Sequence, residues 1–122
     1  MIISFAWTVD ALLAGRKTCT RRQWGDRYFG QWVRAWREGR LIHDAWDKLP
    51  RAGGRKIARM ELTCEPYRQA LRDMPVEDLE AEGGYWDTVE EFAELFGGDL
   101  DRVVTVVRFR LVGVDGEDGD GG

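Results

Sequence analysis

The chain has 122 residues, 43% of them hydrophobic and six of them tryptophan, which suits one domain with one core and excludes disorder throughout. Its net charge of −4 argues against a general polyanion binder, yet the charge is segregated: residues 1–60 carry +8 and residues 61–122 carry −12. No apolar run reaches membrane-span length, Met1–Phe5 lacks the basic segment of a signal peptide, and Cys19 and Cys64 lack metal-ligand spacing; the expectation is a cytoplasmic protein with reduced thiols and no membrane, metal or cofactor.

Ile2–Ala6 is apolar with a β-branched pair and predicts a first strand. Thr8 has the chemistry of an N-cap for a short helix from Val9 to Ala14, and Gly15 suits the residue after its end. Thr18–Arg22 alternates, with Thr18, Thr20 and Arg22 on one face and Cys19 and Arg21 on the other. Three polar residues facing one way suggest a pocket rather than a core. Trp7 follows the first strand, and the sequence leaves it open between core and cleft.

Asp26 suits the N-cap of a helix running to about Glu38, with Gly39 as its stop. Tyr28, Phe29, Trp32, Val33 and Trp36 share one sector of it, so Trp32 and Trp36 read as core, while Arg27 and Arg34 read as a solvated face. Leu41–Trp46 and Lys56–Cys64 predict a hairpin joined through the turn Pro50–Arg55, with Asp47, Lys48, Arg51, Arg55 and Lys56 charging its end. His43, midway along a strand, reads as a packed or surface residue rather than a ligand.

Pro75 suits the first position of a helix ending near Glu82, before Gly83-Gly84. Most of its carboxylates, Glu77, Asp78 and Glu80 among them, read as solvated. Glu82 differs: in the last turn the helix dipole disfavours a negative charge, so it needs a cation or a task. Thr88–Glu91 is a capping box for a further helix ending near Gly97. Arg102–Val112 is the longest β-branched run and predicts a central strand whose second face turns basic. From Gly113 onward the residues are mostly Gly, Asp and Glu, so residues 1–112 form the expected domain and residues 113–122 an acidic, disordered tail. Short strands with helices in the connections give an α+β class: a small bent sheet or barrel with helices packed on it.

The stretch Gly15-Arg16-Lys17-Thr18-Cys19-Thr20-Arg21-Arg22 follows the pattern G-x-K-x-x-x-x-R. With Pro50–Gly54 ahead of a strand, the Glu80–Gly83 helix end and a last strand containing Arg108-Phe109, the chain resembles an ASCH domain, a branch of the PUA-like superfamily, over roughly residues 2 to 112. The resemblance implies a PUA-like pseudo-barrel, a β-barrel with helices around it, and a cleft for RNA or a modified nucleoside. One branch of that family is an amidohydrolase that removes the acetyl group from N4-acetylcytidine with Lys, Thr and Glu, and Lys17, Thr20 and Glu82 match by motif.

The residues bear three readings. As an amidohydrolase, a desolvated Lys17 takes the Thr20 hydroxyl proton, Thr20 attacks the amide carbonyl and Glu82 protonates the leaving amine, with no metal. As a binding module, Lys17, Arg21, Arg22 and Arg51 hold phosphates, Thr18 adds a hydroxyl, and Trp24, Trp46 or Trp86 stacks a base. As a protein-interaction domain, the acidic tail recruits a partner. Lys17 and Glu82 alternatively form an ordinary ion pair that ties helix to barrel.

Overall fold

A computed structural model describes residues 1–114, and the expected acidic tail from residue 115 lies outside the described residues. The fold is α+β, a curled, half-barrel mixed sheet carrying a few short helices. The strands are β1 (Ile2–Ser4), β2 (Cys19–Arg22), β3 (Ile42–Trp46), β4 (Lys56–Leu62), β5 (Tyr67–Ala70) and β6 (Val103–Val114). The helices are α1 (Val9–Leu13), α2 (Asp26–Arg37), α3 (Asp78–Ala81) and α4 (Val89–Ala93).

The sheet order is β1-β3-β4-β6-β2, with β5 also on β6. Strand β6 is the spine. Its first half pairs with β5 on one edge and β2 on the other, and its second half pairs with β4. Val104 to Val107, in the first half of the strand, are all buried, so both faces of the sheet are covered there. The strand runs two residues past the expected domain end, with Gly113 opposite Arg59 and Val114 opposite Ala58. The β3–β4 hairpin forms as its sequence suggests, and β1 joins β3 in parallel.

Two apolar clusters flank the sheet. The first gathers Ile3, Phe5, Leu12, Trp32, Met60, Leu62, Val107 and Phe109. Helix α2 supplies its largest member, Trp32, which is fully buried, while Trp36 packs at the margin. The second gathers Leu71, Met74, Leu79, Phe92 and Val104 beneath α3 and α4. His43 is buried against the Trp32 ring. Its Nε2 lies 2.8 Å from the Arg40 carbonyl and its Nδ1 lies 2.8 Å from the Met1 ammonium. A carbonyl only accepts and an ammonium only donates, so the ring is the neutral Nε2–H tautomer, and burial followed by the Met1 charge lowers its pKa.

Several local expectations give way to tertiary contacts. Thr8 does not cap α1; its hydroxyl donates to the Phe5 carbonyl. Gly25 stands at the N-cap of α2, and Asp26 pairs with Arg68 at 2.6 Å. Helix α3 begins only at Asp78, because Pro75 and Val76 form the turn that receives the Asp78 and Leu79 amides. The capping box at α4 is present, with the Glu91 amide donating to Thr88 Oγ1 at 3.0 Å. Strand β5 carries no sequence signal of its own and is held by its pairing with β6. Among the described residues no helix is long and apolar enough to cross a membrane.

Trp32 sets the stability of the first cluster. Trp32→Ala should cost ~3–5 kcal/mol, the usual loss for deleting a buried aromatic ring. That is a large share of the ~5–15 kcal/mol holding a domain together. A urea unfolding midpoint within error of the parent's would refute this assignment.

Candidate functional site

The site lies at the seam between the two clusters, where β2 meets α3. Gly15, with φ of +79°, turns the chain out of α1, and the amides of Arg16 and Lys17 both donate to the Ala11 carbonyl. The Thr18 amide then donates to the Ala81 carbonyl at 2.8 Å. That bond sets the start of β2 against the last residue of α3, so Lys17 and Glu82 become neighbours although 65 residues separate them in sequence.

Lys17 Nζ donates to the Glu82 carbonyl at 2.8 Å and to Glu82 Oε1 at 3.1 Å. Arg21 Nη1 donates to Glu82 Oε2 at 3.1 Å, so one carboxylate is shared by two cations. Arg21 Nη2 donates to Asp78 Oδ2 at 2.6 Å and to Gln69 Oε1 at 2.9 Å. Asp78 Oδ2 also accepts from Arg108 Nη2 at 2.6 Å, and Arg108 Nε donates to the Tyr67 hydroxyl. The result is a chain of charges, Lys17–Glu82–Arg21–Asp78–Arg108. Lys17, Arg21, Asp78 and Glu82 are each no more than 4% exposed.

Burial lowers the Lys17 pKa from the ordinary 10.5; the Glu82 charge opposes this and Arg22 adds to it. Burial alone would raise Asp78, but the hydrogen bonds from Arg108 and Arg21 outweigh it and hold the carboxyl below its ordinary range. Cys19 sits within the cluster as a free thiol, and burial followed by the Glu82 charge pushes it up to about 12. A thiol that stays protonated at neutral pH is a poor nucleophile, which leaves Thr20 as the candidate hydroxyl of β2. Thr20 is 2% exposed, and its Oγ1 accepts from Arg22 Nε at 2.9 Å. Arg22 Nη2 donates to the Ser4 carbonyl at 2.7 Å.

Lys17, Thr20, Arg21, Arg22 and Glu82 all line one cavity of about 210 Å³, which Trp86 and Phe92 wall on the apolar side. Trp7 stands at its edge, 58% exposed. Larger grooves exist elsewhere, one of about 470 Å³ beside Met74, Val76, Leu79 and Leu100, but no buried ionisable group faces it.

The structure brings together Lys17, Thr20, Arg21, Arg22 and Glu82. Of the three stacking candidates it brings Trp86 to this cavity as well, but not Trp24 or Trp46, and it leaves Thr18 and Arg51 elsewhere. Thr18 is exposed because the backbone bond to Ala81 fixes its amide and leaves its side chain outside. Trp24 packs on Tyr28 and Trp32. Trp46 ends β3 with its indole N–H buried, and Arg51 is exposed on the hairpin turn. Asp78 and Arg108 were absent from the sequence candidates, and Asp78 is buried rather than solvated. The available signal was spacing: Asp78 and Glu82 lie four apart, on one side of a helical turn, facing the same cations.

No protein-family model matches the sequence, and no curated protein matches it. Among solved structures, the chain is similar to protein EF3133 from Enterococcus faecalis V583, whose crystal structure carries the family-model description DUF984. The similarity covers 99% of this chain and 81% of that one, with a TM-score of 0.60 and 16% identity. It shows a shared fold.

Removing one member of a buried charge chain exposes the rest to desolvation without compensation. Glu82→Ala, which leaves Lys17 and Arg21 facing each other, should cost ~3–5 kcal/mol. Lys17→Met should cost much less, because Glu82 keeps Arg21 and a buried ammonium is removed. Equal losses in urea unfolding would contradict the shared-carboxylate arrangement. Acid stability gives a second check. Native Asp78 titrates below the 3.8 of a free aspartate, so the unfolded chain binds the proton first. Its contribution is complete above about pH 4 and disappears as pH falls through the native pKa. Asp78→Asn should therefore be less stable than the parent at pH 7 and lose stability less steeply on acidification.

Proposed function

We propose that this chain is an ASCH-like, PUA-like domain whose cavity binds a nucleoside, free or within RNA, and that hydrolysis of an N4-acyl amide is the second reading of the same cavity. The observation that carries the first is the convergence of Lys17, Thr20, Arg21, Arg22 and Glu82 on one small hollow with an aromatic wall. About 210 Å³ lies below the ~300–1,000 Å³ common for drug-sized ligands, so the hollow suits one ring and its substituents. Donors on one side and Trp86 and Phe92 on the other match a flat ring with polar edges.

The hydrolytic reading is favoured by one feature, the lowered Lys17 pKa in a cavity that a buried Thr20 also lines. Neutral Lys17 would take the proton of Thr20, whose oxygen attacks the acyl carbonyl to form an ester, while cytidine leaves with its N4 reprotonated. Water then cleaves the ester and releases acetate. Arg22 Nε, already bonded to Thr20 Oγ1, would stabilise charge on that oxygen. Glu82 takes a different role from the one its motif implies. Both of its oxygens accept from cations, so it orients Lys17, and the proton reaching the amine comes from Lys17 itself.

Incubation with N4-acetylcytidine separates the two readings. Hydrolysis predicts cytidine and acetate, with turnover reduced ~10²–10⁴-fold in Lys17→Met and in Thr20→Val, the usual scale for a lost acid–base or nucleophilic group. Binding alone predicts saturation without product, and weakened affinity in Lys17→Met. Neither turnover nor saturable binding of N4-acetylcytidine, cytidine or a short RNA would overturn the assignment of the cavity.

A further inference from the structure

Among the described residues Ala6 is the only non-glycine with positive φ, at +48°. A side chain there meets backbone atoms that glycine would avoid, and such strain persists only where surrounding contacts enforce it. The contacts are visible. Phe5 is buried in the first cluster, its amide bonds to the Trp46 carbonyl, and the Ala6 amide bonds to the Asp47 carbonyl. Two residues later Thr8 is buried again, with its amide and hydroxyl both on the Phe5 carbonyl. The chain thus leaves the core for two residues and returns. Trp7 is the side chain displayed by this excursion.

Trp7 is 58% exposed, a large apolar surface to leave in water. It is held rather than loose. Tyr85 meets it edge-on at 5.0 Å between centroids and Trp86 at 5.6 Å, and Trp86 in turn rests on Phe92 in the second cluster. A strained backbone at Ala6 and a braced indole on the cavity rim at Trp7 stand at adjacent residues.

We propose that Trp7 is a specificity-determining residue of the cavity, a stacking surface that selects an occupant with a planar aromatic or heteroaromatic ring, and that the strain at Ala6 maintains its pose. The proposal rests on the cavity being a ligand site, and it names which part of the ligand Trp7 reads. Arg22, Lys17 and Thr20 would meet polar edges, while Trp7 meets the ring face.

The test pairs two amides that differ chiefly in flatness, benzamide and cyclohexanecarboxamide, titrated into the full chain and followed by NMR shifts. Benzamide should bind about five- to a hundredfold more tightly, the range that ring stacking supplies. Trp7→Leu should remove that preference while melting close to the parent. Ala6→Gly should melt higher, because glycine relieves the strain, yet bind benzamide several-fold more weakly. A preference that survives in Trp7→Leu, no preference in the parent, or a lower melting point for Ala6→Gly would overturn the proposal. N4-acetylcytidine is titrated in parallel. If it fails to bind while the benzamide preference holds and vanishes in Trp7→Leu, the nucleoside assignment fails and the Trp7 assignment stands.

Discussion

One carboxylate shared by two cations fixes the relation between the two halves of the molecule. Helix α3 is a single turn, too short to persist by its own hydrogen bonds. It is fixed on β2 by the Thr18–Ala81 backbone bond and by Glu82, which takes Lys17 on one oxygen and Arg21 on the other. Without that clasp, α3 would rest on the sheet through Leu79 alone among its buried apolar residues, and the cavity would lose one wall.

Burying such a cluster is costly, and its surroundings show how the cost is offset. Each carboxylate has at least two donors, and Arg21 spreads its terminal nitrogens over Glu82, Asp78 and Gln69. Counting Arg22 and Arg108, four cations face two carboxylates. Burial sets the direction of the Lys17 shift; Glu82 opposes it, and Arg22 reinforces it. The segregation of charge along the sequence finds part of its meaning here, since the basic N-terminal half supplies Lys17, Arg21 and Arg22 and the acidic half supplies Asp78 and Glu82.

Sequence periodicity located what local physics determines. The β6 run, the α2 stripe with Trp32, and the hairpin were legible because burial imposes alternation or a helical sector on those residues. Glu82 stood out because a carboxylate in a last helical turn opposes the dipole. Asp78 did not, because in a first turn the dipole welcomes it and solvation is the simpler account; only β2 and β6, bringing Arg21 and Arg108 across, change that. Strand β5 was invisible for the same reason, since Tyr67–Ala70 becomes a strand only where β6 offers an edge. Trp24 and Trp46 illustrate the reverse error. Their chemistry suits stacking, but Trp24 packs on Tyr28 and Trp32 of α2, Trp46 ends β3 with its indole N–H buried, and the cavity opens elsewhere.

The charge chain divides into a part that faces the cavity and a part that does not. Lys17, Arg21 and Glu82 line the hollow, whereas Asp78 and Arg108 lie behind Arg21. Arg21 belongs to both, with Nη1 on Glu82 and Nη2 on Asp78. A planar guanidinium held at both terminal nitrogens cannot rotate toward one partner without abandoning the other. Glu82 is therefore fixed from behind, and through it Lys17 is fixed as well. Any occupant of the cavity meets donors whose orientation was set during folding, so little reorganisation remains at the moment of binding. The same rigidity limits change: displacing Glu82 leaves a buried nitrogen of Arg21 unpaired, at a cost of about 1–3 kcal/mol or more for a charged group. That coupling makes the seam between the two cores at once a structural clasp and a preorganised polar wall.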